Sequence, residues 1–293
     1  MDSVAVLIAA PGSGAIGTRV IAMLNEFGAK PLRWLAPAEA AETDAFARLN
    51  EFRTAIAGLP IDLAVVPKAN RRKRLLIADM DSTMIGQECI DELGIMAGVG
   101  EAIKAITHRA MRGELDFAEA LRQRVGLMRG LDAEAIGTIL RERITYAPGG
   151  ATLVATLKAH GAHTALVSGG FRQFTAKVAA HLGFDSHQAN DLVIDNGKLA
   201  GTVREPILGR QAKVAELRRL TRELSLTVQD VAAVGDGAND LPMLLEAGMG
   251  VALHAKPTVR EQIPIAIDHG DLTALLYLQG YTKAQFINGS NSV

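Results

Sequence analysis

The chain has 293 residues, enough for one large domain or two ordinary ones. Its net charge of −1 argues against a dedicated nucleic-acid binder. Hydrophobic residues make up 48% but aromatics only 4%, so Ala, Val, Leu and Ile must fill most of a substantial core.

The opening stretch "MDSVAVLIAAPGSG" has an apolar patch but carries Asp2 and lacks a basic start, so it reads as a strand and not as a secretion signal. No apolar run is long enough to span a bilayer. The first 70 residues then read strand, helix, strand, helix, strand. The strands are "VAVLIAA", "PLRWLAP" and "IDLAVVP"; the helices are "TRVIAMLNEFG", with Gly28 just past its end, and "DAFARLNEFRTAIAGL". "GSGAIG" at 12–17 matches a dinucleotide fingerprint, but no acid ends the second strand to hold a ribose hydroxyl. "KANRRKR" at 68–74 reads as a solvated linker and a domain boundary.

"LLIADMDSTMIG" follows at 75–86: a buried strand that stops at Asp79, with a second acid at Asp81. Residues 86–146 are helical throughout and predict a small bundle inserted between 71–85 and 147–293. The segment beginning at Asp116 carries Glu119 three residues on, a start resembling a capping box. Cys89, the only cysteine, excludes an intramolecular disulfide and fits a reducing, cytoplasmic setting; it reads as a small core residue.

After Gly150 the chain alternates. "HTALVSGG", "VAAVGDGAND", "GVAL" and "IPIAIDH" read as strands between helices, which predicts a parallel sheet covered on both faces. "LVIDNGKLAGTV" holds Asn196-Gly197 between strand-like runs, a hairpin signal.

Three buried strands thus end in chemistry, at Asp79, Ser168 and Asp236. In a parallel sheet their carboxyl ends share one edge, where open α/β sheets bind ligands. Asp79 and Asp81, two apart, can face one small volume. Carboxylates so close shift each other's proton affinity unless a cation joins them, and an all-oxygen set favours Mg²⁺. Ser168 and Gly169, in "SGGF" at a helix start, offer an anion site, and Lys213 can add a compact positive charge. The combination is that of phosphoryl transfer. Taken singly, each feature reads more readily as a turn acid, a loop or a solvated lysine; their joint order is what reverses that.

"DMDST", "SGG", Lys213 and "GDGAND", in this order, resemble the four motifs of the haloacid dehalogenase (HAD) superfamily of phosphatases. The helical insert resembles the cap of its phosphoserine phosphatase subgroup, as do "DSTMIGQECIDELG", "ITHRAMRGELDFAEALRQRV" and "AVGDGAND". The resemblance covers about residues 72–285. It implies a Rossmannoid parallel sheet with helices on both faces, a helical cap and, at 1–70, a small α/β unit similar to an ACT domain, though it departs from a clear ACT pattern.

It also implies roles. Asp79 is the expected nucleophile and Asp81 the acid–base. Asp79, the Asp81 carbonyl and Asp236 would ligate Mg²⁺, with Asp240 supporting the site from outside. Ser168, Gly169 and Lys213 would hold phosphoryl oxygens, and Asn239 would position substrate or phosphate. Glu88 and Arg124 would grip the ammonium and carboxylate of O-phosphoserine; otherwise they read as a helix-dipole acid and a solvated arginine. Met111 and Phe117 would be apolar lid residues, or cap core. The implied reaction is Mg-dependent hydrolysis of O-phospho-L-serine, the last step of serine biosynthesis, with hydrolysis or transfer on a related small phosphorylated metabolite as the alternative. Neither a membrane nor a nucleic acid is an expected partner; a homodimer is an allowed assembly.

Overall fold

The computed structural model describes residues 2–289. Its first part runs β1 (Ser3–Ala9), α1 (Thr18–Glu26), β2 (Arg33–Ala36), β3 (Ala40–Asp44), α2 (Leu49–Ala55) and β4 (Ile61–Pro67). The sheet is antiparallel with order β2-β3-β1-β4, a split βαβ arrangement. β1 is apolar almost throughout because it is buried on both faces. Ala5, Leu7 and Ala9 pack toward α1 and α2, beside Val20, Leu24 and Phe52. Val4, Val6 and Ile8 join the main core, which also holds the C-terminal helix.

Two sequence expectations change here, and the reading against a dinucleotide site gains support. The first part has four strands, not three. Ala40–Asp44 is a fully paired strand whose "AAETD" sequence has weak strand propensity. The second helix is accordingly shorter than expected, Leu49–Ala55. "GSGAIG" connects β1 to α1 in an antiparallel sheet, not in the parallel βαβ unit that a dinucleotide fingerprint requires.

The basic run at 68–74 is not simply a solvated linker. Arg71 donates to the carbonyls of Tyr277 and Leu278 and pairs with the Glu42 carboxylate at 2.6 Å. Lys73 is buried and its ammonium donates to the carbonyls of Asn70 and Gln229. The run ties the first sheet to the second.

The second part continues with β5 (Leu75–Ala78), then α3 (Cys89–Met96), α4 (Gly100–Met111), α5 (Phe117–Leu127) and α6 (Glu134–Glu142). Next come α7 (Gly150–Ala159), β6 (His163–Phe171), α8 (Arg172–Leu182), β7 (Ser186–Asn190), β8 (Leu192–Asp195), β9 (Lys198–Val203) and α9 (Arg210–Glu223). The chain closes with β10 (Val231–Gly235), α10 (Leu241–Glu246), β11 (Met249–Leu253), α11 (Pro257–Arg260), β12 (Ile265–Ile267) and α12 (Ala274–Leu278). Six strands form one wholly parallel sheet, order β12-β11-β10-β5-β6-β7. Its faces are covered separately. Leu76 and Ala78 face a core shared with α7, α8 and α12, whereas Leu75 and Ile77 face α9 and α10. β7, with the polar sequence "SHQAN", was not expected as a strand; it takes its place as the sheet's edge.

Asn196 and Gly197 both have positive φ, 47° and 75°, the signature of a type I′ hairpin turn. This β8–β9 hairpin supports the inserted helices: Leu199 exchanges backbone hydrogen bonds with Gly130 and Leu131, and Gly197 accepts from Ala133. At the start of α5, Asp116 accepts the Glu119 N–H at 2.8 Å, half of a capping box. Glu119 turns instead to Gln123. Among the described residues no helix is long and apolar enough to cross a membrane.

The tightest joint between the two sheets is one carboxylate. Asp62, buried on β4, accepts the backbone N–H groups of Asp268, His269 and Gly270 at 2.8–3.2 Å. Asp62→Ala leaves those donors unpaired. The variant is expected to lose about 2–3 kcal/mol of stability, read as a lower urea midpoint.

Candidate active site

The site lies on the carboxyl edge of the parallel sheet, where β10, β5 and β6 are neighbours. Asp79 follows β5 directly, and its N–H donates to the Val234 carbonyl, extending the ladder one residue. Asp236 follows β10 and Ser168 lies within β6. A cavity of about 340 Å³ opens between this edge and the inserted helices. Its lining includes Asp79, Asp81, Ser168, Gly169, Asp236 and Asn239 from the sheet side. From the helices come Glu88, Met111, Phe117 and Arg124.

Lys213 and Asp240 do not line the cavity; they sit behind it. The buried Lys213 ammonium lies 2.5 Å from Asp79 Oδ1 and 2.5 Å from Asp240 Oδ1. Burial alone would lower its proton affinity, but the two carboxylates outweigh that, and its pKa is raised. Asp79 is pushed well above the usual carboxyl range by burial and by the Asp240 charge, with Lys213 opposing. Asp240 spends its other oxygen on the Gly237 N–H.

Asp79, Asp236 and Asp240 each bring an oxygen within 4.8 Å of the others, a cluster able to hold a metal ion. Asp236 is the least satisfied of the three. Its nearest partners are the Thr83 hydroxyl at 3.4 Å and the Lys256 ammonium at 3.7 Å. A buried carboxylate left this loosely partnered suits a cation, and the donor set is all oxygen. Burial raises the Asp236 pKa, with Lys256 opposing.

The Asp81 carboxylate is not part of that cluster. It accepts the Cys89 N–H at 2.8 Å and the Ser168 hydroxyl at 3.0 Å. The Ser168 oxygen in turn accepts the Gly170 N–H. A Cβ at Gly170 would stand 2.9 Å from Asp81 Oδ2, so a glycine is needed for the carboxylate to sit there. The second glycine of "SGGF" therefore makes room for an acid 89 positions earlier, a role that nothing in the sequence signals.

On the helical side, Glu88 stands at the N-terminus of α3 without capping it and instead accepts the Ser82 hydroxyl at 2.8 Å. Glu88 is open to the cavity, yet enough protein surrounds its carboxylate that burial raises its pKa, with the Asp81 charge adding. Arg124 is half-buried, not a solvated arginine. It donates to the Ala120 carbonyl and reaches the Thr107 hydroxyl at 3.4 Å. Among the described residues it has no carboxylate within ion-pair distance. Burial lowers its pKa, with Asp91 and Glu88 opposing. Met111 and Phe117 are 74% and 37% exposed, which excludes the reading of either as cap core; both face the cavity. Thr107, Ile90 and Lys256 also line it and were not foreseen. Lys256 had a usable signal, since "HAKP" directly follows the strand "GVAL".

Lys213→Met would leave two buried carboxylates without a partner. In chelator-treated protein near neutral pH it is expected to cost about 3–5 kcal/mol in urea unfolding. The loss should shrink on acidification. A carboxyl whose folded pKa is raised takes up its proton early in the fall of pH, and protonation removes the orphaned charge.

Residues 76–245 match the family model of haloacid dehalogenase-like hydrolases. The chain is 45% identical over 231 residues to a phosphoserine phosphatase of Albidiferax ferrireducens, covering 77% of this chain and 98% of that one. It is 42% identical over 234 residues to a phosphoserine phosphatase of Streptomyces coelicolor, covering 79% of this chain and 57% of that one. The chain thus spans little more than half the length of that second relative. Among solved structures, a probable phosphoserine phosphatase of Vibrio cholerae in unliganded form superposes with a TM-score of 0.82 at 30% identity, covering 97% of this chain and 88% of that one. A substrate-bound phosphoserine phosphatase complex gives 0.65 at 38% identity, covering 70% and 98%. On its fold, its motif-bearing sheet edge and these likenesses together, the chain belongs to the haloacid dehalogenase-like hydrolases.

Proposed function

We propose that the protein is a phosphoserine phosphatase that hydrolyses O-phospho-L-serine through an aspartyl-phosphate on Asp79. The observation that carries this reading is one cavity with two chemistries facing each other. The sheet edge offers paired acids and an anion-binding turn, and the helices offer one acid and one unpaired guanidinium. A phosphomonoester bearing an ammonium and a carboxylate matches that division. The likeness to phosphoserine phosphatases supports the same substrate.

In this reading Asp79 attacks phosphorus and the P–O bond to the seryl oxygen breaks. Asp81, within the same cavity, gives its proton to the departing oxygen. It then takes one from the water that cleaves the acyl phosphate, returning both carboxyls to their starting states. Ser168, Gly169 and Asn239 are placed to receive phosphoryl oxygens. Lys213 stands behind Asp79, where its charge favours the carboxylate form and fixes its orientation. Asp79, the Asp81 carbonyl and Asp236 would hold Mg²⁺, with Asp240 bracing the site through Lys213. Bound there, the ion supplies charge neutralisation for the transferring group. Glu88 would pair with the substrate ammonium and Arg124 with its carboxylate, while Met111 and Phe117 keep the cavity dry. Residues 86–146 act as the cap that selects the substrate, on a catalytic core of 71–85 and 147–293. The expected setting is the cytoplasm and the reaction that completes serine synthesis.

Phosphate release from a panel of phosphorylated metabolites, with Mg²⁺ present, tests the assignment. Phosphoserine is expected to give the highest kcat/KM, and a panel on which another phosphomonoester is far better would overturn the substrate. Chelation should abolish turnover. Asp79→Asn should remove it even with saturating Mg²⁺, and beryllium fluoride should modify the wild type at Asp79 alone.

Arg124→Ala tests substrate choice. Losing a charge-assisted contact to a carboxylate in a partly dry site costs about 2–5 kcal/mol. That is on the order of 30- to several-thousand-fold in kcat/KM for phosphoserine. p-Nitrophenyl phosphate carries no carboxylate, so its hydrolysis should fall far less. Equal losses would mean that Arg124 supports the cap and does not read the substrate.

A further inference from the structure

Phe117 is held in a way that its role as an apolar wall does not explain. It is the first residue of α5, and its backbone is fixed by the Asp116 cap on Glu119. Its ring lies between two glycines on separate core segments. A Cβ on Gly169 would come within 3.2 Å of Cζ and 3.5 Å of Cε2. A Cβ on Gly209 would come within 3.1 Å of Cδ1 and 3.6 Å of Cγ. The two walls therefore meet different edges of the ring, and retreat from one is advance on the other.

Gly209 is not demanded by its backbone. Its φ of −98° and ψ of −162° are open to any residue. What the position requires is the absence of a side chain. The walls are also held at a set separation. Buried Asn190 donates to the Gly169 carbonyl at 2.8 Å and to the Leu208 carbonyl at 3.1 Å, and accepts the Leu208 N–H at 2.7 Å. One amide thus clamps both segments, and the slot cannot widen without breaking it. A second hollow lies beyond the ring, lined by Gly209, Arg210, Gln211 and Asn239. Asn239 and Phe117 border both spaces, so the ring is the partition between the reacting cavity and that opening.

We propose that Gly169 and Gly209 form a slot, set to width by Asn190, that seats the Phe117 ring and thereby fixes the closed position of the cap over the phosphoryl-binding edge. Gly209 is then a positioning residue. It touches no reacting atom, but it decides whether α5, and Arg124 on it, reach their working place. The inference rests on the phosphatase reading of the cavity. It adds Gly209 and Asn190, which stand outside the sequence motifs and the site residues, to what closure requires.

The test is a double-mutant cycle of Gly209→Ala and Phe117→Leu, run on the full chain with Mg²⁺. The substrate is whichever phosphomonoester the wild type turns over best, so failure of the phosphoserine assignment leaves the cycle interpretable. Gly209→Ala is expected to lower kcat/KM by roughly 10-fold or more through a methyl forced against the ring. Its thermal unfolding should match the wild type, because the backbone accepts alanine. Phe117→Leu alone should itself lower kcat/KM, because the seated ring is lost. In that leucine background Gly209→Ala should cost little more, since a smaller side chain leaves room for the methyl. A Gly209→Ala variant with unchanged kinetics would overturn the slot. So would an equal loss from Gly209→Ala in both backgrounds, because the damage would then run through α9 and Lys213 and not through the ring.

Discussion

The site depends on one ammonium buried between two carboxylates. Lys213 lies 2.5 Å from both Asp79 and Asp240, and all three are buried. Burying the two acids together without a cation would drive at least one to its protonated form. The lysine charge opposes the rise in the Asp79 pKa that burial and Asp240 produce, and so favours the carboxylate form. The triad is also geometric. It ties α9 to the end of β5 and the start of α10, and so sets where the Asp79 oxygens point. Its contribution to net stability need not be large, because the desolvation of three charges offsets most of their attraction. Its value lies in position.

Two further constraints build outward from that triad. The parallel sheet brings β5, β6 and β10 side by side, so Asp79, Ser168 and Asp236 share an edge although they span more than half of the chain. The inserted helices then close over the edge from one side. They are supported by an element that the chain reaches only later, the β8–β9 hairpin, whose Leu199 pairs with Gly130 and Leu131. Cap and core are therefore stitched by backbone hydrogen bonds on the hairpin side. On the cavity side they meet through side chains such as Glu88 with Ser82.

Much of this was legible because the chemistry sits where period and punctuation are strongest. Short apolar runs ending in Asp or Ser-Gly-Gly mark parallel strands at a working edge, and Asn-Gly marks the hairpin without ambiguity. Less visible were elements defined by their partners. β3 and β7 have polar or alanine-rich sequences and are strands only because neighbouring strands supply their hydrogen bonds. The basic run at 68–74 looked solvated because charge is usually a surface property. Arg71 and Lys73 are buried against carbonyls at the ends of other elements, which no local pattern records. The same holds in the site: Thr107 enters from a helix position whose neighbours are set by tertiary packing alone, and Gly170 is explained only by an Asp81 oxygen in contact with it.

The first sheet does more than precede the rest of the chain. Its β4 supplies Asp62, which collects the N–H groups of residues 268–270. Two residues on, the Leu272 N–H donates to the Pro148 carbonyl, and the Ala147 N–H donates to Met84. Residues 84 and 147 belong to the two crossings between core and cap. Gly86 and Thr145, one step further out, are paired as well. A continuous series of hydrogen bonds thus runs from the first sheet to the base of the cap. On the same face of that sheet α12 is buried, with the Tyr277 hydroxyl donating to Glu39 and Lys283 pairing with the same carboxylate. The first sheet is anchored at both ends of the final turn of the core, so it braces the segment from which the cap departs. Whatever else that sheet binds, its removal would uncover the apolar side of α12 that β1 packs against and free the 268–270 loop. The base of the cap would then keep the support of the parallel sheet and the β8–β9 hairpin but lose this brace.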